Sequence, residues 1–105
     1  MTEANNAQTG QQQQIEVRVR EEKAQTYYSN VVRVGGTAEE LIVDFAINHQ
    51  DPENPGVLMM DINAKIVMNL YAAKRLTLAL SQTVQRYEQQ FGPIELDVRK
   101  RLRQG

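Results

Sequence analysis

The sequence predicts an α+β fold, an antiparallel sheet of about four strands packed against one long C-terminal helix. Two observations lead there. Apolar and polar residues alternate with a period of two in successive stretches before residue 69, the signature of half-buried strands. From residue 69 the apolar spacing changes to that of a helix.

The first alternation is Ile15, Val17 and Val19 against Glu16, Arg18 and Arg20, which predicts a strand. A polar link, Glu21 to Thr26, leads to Tyr27-Tyr28-Ser29-Asn30-Val31-Val32-Arg33-Val34. Aromatic and β-branched residues make that a second strand. Gly35-Gly36 fits a tight turn with positive φ. Thr37 to Glu40 reads as one threonine-capped turn, and Leu41 to Ile47 is too β-branched for easy helix. A third strand follows, in a hairpin with the second.

His49 to Gly56 holds two prolines and a glycine and is predicted to be a loop. Ile62, Ala64, Ile66 and Met68 then mark a fourth strand. Asn69 is a candidate helix cap. At 100° per residue Ala73, Leu76, Leu80, Val84, Tyr87 and Phe91 fall in an arc of about 80°. Gly92-Pro93 ends that helix. Residues 94–102 fit both strand and helix spacing; a short helix opened by Pro93 is the favoured reading.

A chain of 105 residues allows one small domain. Residues 1–14, with five Gln and two Asn, read as a disordered Gln/Asn-rich tail. Residues 15–98 form the single α+β domain, and 99–105 a basic C-terminal tail. Without cysteine, a disulfide scaffold and thiolate chemistry are excluded. A net charge of −1 gives no chain-wide attraction to nucleic acid or anionic lipid. The N-terminus lacks a basic and apolar signal-peptide pattern, and no stretch approaches the roughly 18 apolar residues of a membrane helix. A cytoplasmic location is expected.

Ile15, Val17, Val19, Val32, Val34, Leu41, Val43, Phe45, Ile47, Ile62, Ile66 and Met68 are expected on one sheet face, under the helix stripe. The opposite face carries charges but also Tyr27, Val31, Ile42, Ala46 and Val67, and Tyr71 and Leu78 lie on the far side of the helix. One helix cannot cover both sheet faces. Tyr27, Val31, Ile42, Val67, Tyr71 and Leu78 are therefore the candidate self-association residues, and a homodimer is the simplest outcome.

Chemistry is sparse. His49 has Asp44, Asp51, Glu53 and Asp61 nearby in sequence, but no metal-ligand or catalytic spacing; a solvated loop residue is the favoured reading. Glu40 and Asp44 are two carboxylates without a pocket, and cross-strand pairing with Arg18, Arg33 or Lys65 accounts for them. Gly35-Gly36-Thr37 lacks the ending of a phosphate loop. No catalytic residue, metal ligand or cofactor is expected. Arg99, Lys100, Arg101 and Arg103 concentrate +4 and leave −5 on the rest. They are the candidate phosphate contacts, although no nucleic-acid motif accompanies them.

Several pieces recur in a fixed order: Tyr28-Ser29-Asn30, Glu40 with Asp44-Phe45, Lys65-Ile66-Val67-Met68, Ala73-Lys74-Arg75-Leu76 with Leu80, and Tyr87-Glu88 with Phe91-Gly92. In this order they resemble the prokaryotic domain-of-unknown-function family 3467, over roughly residues 26 to 92. Asn69-Leu70 stands where that family often has Ser-Pro or Thr-Pro. The resemblance implies a strand–strand–strand–helix order in a small soluble protein, and carries no reaction or ligand. As architecture, four antiparallel strands and a long helix are also similar to the subunit of the export chaperone SecB, by fold alone.

The expected function is that of a non-enzymatic, self-associating protein-binding or assembly module. The alternatives are a SecB-like holdase for unfolded chains and a nucleic-acid accessory protein using the basic tail.

Overall fold

The computed structural model describes residues 14–103. The Gln/Asn-rich tail, except Gln14, lies outside the described residues, as do residues 104 and 105 of the basic tail. The order is β1 (Val31–Gly36), β2 (Glu40–Gln50), β3 (Leu58–Asn69), α1 (Leu70–Phe91) and α2 (Val98–Arg103). The strands form one antiparallel sheet in the order β1-β2-β3. The architecture is thus α+β, with three strands among the described residues rather than about four.

The missing strand is Ile15–Val19. Its alternation is real, but a strand exists only where its backbone amides and carbonyls find a partner. Residues 14–20 meet none among the described residues and have no regular secondary structure. Tyr27 to Asn30 also precede the first strand, which starts at Val31. Asn30 and Ser29 still tie this lead-in to β2. The Asn48 amide donates to Asn30 Oδ1 at 2.7 Å, and Ser29 Oγ lies 2.9 Å from the Ala46 carbonyl.

The β1–β2 hairpin closes as expected, with a different role for its glycines. Gly92 is the positive-φ glycine among the described residues; Gly35 and Gly36 end β1 in extended backbone. A Cβ on Gly36 would run into the Glu40 carbonyl oxygen and sit 3.1 Å from Leu41 Cα, whereas one on Gly35 would meet open space. Close approach of two backbones, not a left-handed turn, requires Gly36. Thr37 caps the turn, its Oγ1 accepting from the Glu39 and Glu40 amides at 3.2 Å each.

The second connection is shorter than expected. β2 runs on to Gln50, so His49 is a strand residue and the loop is Asp51–Val57. Asp51 organises that loop, accepting from the Glu53 amide at 3.0 Å and Asn54 Nδ2 at 3.1 Å. Those donors, Asn54 first, hold its carboxyl below the ordinary range.

The long helix is where its sequence puts it. Asn69 keeps an extended backbone and its Oδ1 accepts from the Ala72 amide at 2.8 Å, satisfying an orphan donor. Gly92, at φ +93°, donates to the Glu88 carbonyl at 2.8 Å. The C-terminal helix starts at Val98 rather than at Pro93, and Asp97 Oδ1 accepts from the Arg99 amide at 3.0 Å.

Helix-to-sheet packing departs most from expectation. The stripe should cover the sheet, yet Ala73 is the one buried residue of α1. Leu76, Leu80, Val84, Tyr87 and Phe91 are all exposed. The cause is local: Asn69 ends β3 and Leu70 begins α1, leaving no loop residue to fold the helix back over the sheet. Among the described residues only Val43, Ala46 and Ala73 are buried apolar groups, and no large side chain is fully buried.

Candidate interaction surface

Strand register fixes which side chains share a face. On one face of the sheet three cross-strand rows are apolar throughout: Val32–Phe45–Ala64, Val34–Val43–Ile66 and Gly36–Leu41–Met68. Side chains directly opposite across strands stand about 4.5–5.5 Å apart, so these nine residues form one patch. Val32, Val34 and Ile66 are exposed, at 52%, 59% and 47%. The helix stripe adds an exposed apolar surface from Leu76 to Phe91, about 22 Å long at 1.5 Å per residue. At its end the Tyr87 and Phe91 rings lie 4.8 Å apart.

The other face is mixed, and a charged row crosses it: Arg33, Asp44 and Lys65. Asp44 is 5% exposed. Its Oδ1 accepts from Lys65 Nζ at 2.6 Å and its Oδ2 from Arg33 Nη2 at 2.8 Å. Hydrogen bonds from Lys65 and then Arg33 hold the Asp44 carboxyl below its ordinary 3.8. A carboxylate so committed is a poor general acid or base. Of the candidate partners for Asp44, Arg33 and Lys65 take the role; Arg18 pairs with Glu16 at 3.0 Å.

Ile62 is a correction. It was expected on the apolar face with Ile66, but the register slips between Phe45 and Ala46, whose partners are Ala64 and Ile62. The extra residue, Asn63, bulges and sends Ile62 to the charged side. There Val31, Ala46 and Ile62 form one row, and Ile42 and Val67 are direct cross-strand partners.

The candidate self-association residues therefore divide. Val31, Ile42 and Val67 share the charged face. Tyr27 is exposed in the lead-in, and Tyr71 and Leu78 are exposed on the helix. The apolar rows and the helix stripe have the sequence pattern of an internal core, yet Val32, Val34, Ile66 and the stripe from Leu76 to Phe91 are exposed. The one sequence signal for this exposure was the direct Asn69–Leu70 junction, with no turn residues between strand and helix.

His49 Nε2 lies 2.7 Å from Asp61 Oδ2 across the β2–β3 pair. That carboxylate is the main reason the imidazole is held above its ordinary 6.5. The pair is surface-exposed, and no group of three or more His, Asp or Glu converges on a metal-sized site among the described residues. One hollow, about 260 Å³, is lined by Gln85, Glu88, Gln89 and Pro93. Of the basic run, Arg99 Nε lies 3.5 Å from Asp97 Oδ1, and Lys100 and Arg101 are exposed on α2. No helix among the described residues is long and apolar enough to cross a membrane.

Fold and surface define a class: a small α+β chain whose antiparallel meander runs directly into a long amphipathic helix, with its apolar residues at the surface. The chain belongs to the family described as Protein of unknown function (DUF3467), whose model matches residues 1–96. That match contains the recurring motifs of residues 26–92 and extends past them on both sides. Neither a curated protein nor a solved structure matches the chain.

Proposed function

We propose that this chain is a non-enzymatic assembly module of the cytoplasm that completes its fold as a homo-oligomer, a dimer in its simplest form, and acts by binding another protein. The observation that carries this is an apolar sheet patch whose outer members Val32, Val34 and Ile66 are exposed although Val43 at its centre is buried, beside a helix stripe exposed from Leu76 to Phe91. In the dimer the stripe of each copy lies on the Val34–Val43–Ile66 face of the other. Two-fold symmetry forms that contact twice, and burial of such area is the main driving force for association. Val31, Ile42 and Val67 on the opposite face, with Tyr71 and Leu78 behind the stripe, remain for the further partner.

Light scattering on the full chain tests self-association. A mass of at least twice 12.0 kDa is expected at concentrations on the order of tens of micromolar, a range that weak biological assemblies reach; a strict monomer there overturns it. The extent of exposed apolar side chains also favours a second reading, a SecB-like holdase. Such a protein suppresses aggregation of a denatured client at stoichiometric ratio, and absence of suppression removes that reading.

A further inference from the structure

We propose that the segment Ile15–Arg20 is a β-strand donated to a second copy, where it pairs with the outer edge of β1, which has no neighbouring strand among the described residues. This rests on the self-association proposed above and names the element that interlocks the copies.

The segment has a strand's alternation and no backbone partner among the described residues. Ile15, Val17 and Val19 are 79–86% exposed, although the sequence spaces them for a half-buried face. The sheet, in turn, has an unguarded edge. An exposed edge strand is a template for another chain unless charge, proline or a bulge protects it. β3 is protected by the bulge at Asn63 and by Asp61 and Lys65. β1 carries one charge, Arg33, no proline and no break in register. Its length of six residues matches the six of Ile15–Arg20. A strand placed there with its apolar side chains beside Val32 and Val34 would widen the apolar face by one strand, and that face is the one the partner's helix covers.

The route of the chain favours exchange over pairing at home. Before entering β1 the backbone crosses the sheet: the Tyr28 carbonyl accepts from Asn63 Nδ2 of β3 at 3.2 Å, and Ser29 Oγ bonds Ala46 of β2. The segment preceding Tyr28 thus departs from the β3 side, opposite the outer edge of its own β1. A turn at Glu21–Ala24, closed by the Ala24 amide on the Glu21 carbonyl at 3.0 Å, shortens its reach. In a symmetric pair each copy gives one strand and receives one, so the contact closes on itself.

Amide hydrogen exchange on the full chain, followed over protein concentration with sedimentation in parallel, tests this. At a total chain concentration about 100 times the dissociation constant about 7% of a dimerising chain is still monomer, so exchange of the residue 15–20 amides and of the outward amides of β1 is expected to slow about 15-fold relative to the dilute monomer. Val17→Pro, which removes a ladder donor, is expected to abolish that protection and weaken association, while Val17→Thr preserves both. A dimer whose residues 15–20 exchange freely overturns strand donation and leaves self-association standing; a strict monomer overturns both. Protection that does not change on dilution to monomer shows pairing within one chain, and protection at the β3 edge instead of β1 removes the choice of β1. Either result overturns the exchange.

Discussion

Leu80→Ala probes the helix stripe with little collateral damage. Alanine is the best helix former, so the substitution leaves α1 intrinsically as stable or more so. Leu80 is 54% exposed in the protomer. Fully burying a leucine is worth about 1.5–3 kcal/mol, so the part still open to a partner is worth about 1–1.5 kcal/mol. A two-fold dimer has two such contacts and would lose about 2–3 kcal/mol, weakening the dissociation constant roughly 30- to 150-fold. Sedimentation equilibrium over a dilution series reads this directly. Leu78→Ala is the matched comparison, because Leu78 is 55% exposed on the other side of the helix; its effect should stay within about threefold, as for an ordinary surface position. Equal dissociation constants for the two variants, or no effect of Leu80→Ala, would refute packing through the stripe.

Other substitutions and pH test the scaffold. Gly36→Ala should lower the denaturant midpoint by an amount equivalent to about 1–3 kcal/mol, since forcing an extra methyl into a contact already closed costs that much, whereas Gly35→Ala should stay within about 0.5 kcal/mol. Asn69→Ala should cost about 1 kcal/mol through loss of the helix cap, measured by urea unfolding. The His49–Asp61 pair contributes stability that is full below pH 6.5 and lost as pH rises through the raised folded-state value of His49; His49→Gln should flatten that limb of the stability–pH curve. Asp44 acts at the other end. Its contribution is full above pH 3.8 and lost as pH falls through its lowered value, and Lys65→Met should move that loss towards higher pH.

Much of the fold was legible because its signals are local. The α1 period, the Asn69 cap and the Gly92 stop each act within a few residues, and each stands where the sequence puts it. The β1–β2 hairpin was readable for the same reason. Ile62 was misplaced because a single bulged residue, Asn63, inverts the alternation on part of β3, and no residue type announces it. Ile15–Val19 failed for a different reason: alternation records which residues want burial and does not say which edge supplies it. Likewise the helix stripe and Val32, Val34 and Ile66 were correctly read as apolar, but the sequence pattern cannot separate a face covered by its own chain from one left open. The Asp44 pairing was readable as a cross-strand preference, and its choice of Arg33 and Lys65 over Arg18 followed once Ile15–Arg20 stood apart from the sheet.

The central claim is that one copy cannot complete its own core, and thermal unfolding as a function of chain concentration tests it most directly. A protein stabilised by association has a melting temperature that depends on concentration. Over a hundredfold dilution of the full chain the melting temperature should fall steadily, and cooperative unfolding should fade in the most dilute samples as monomer accumulates. A cooperative transition whose midpoint stays constant across the whole series, with monomeric mass throughout, would contradict the claim.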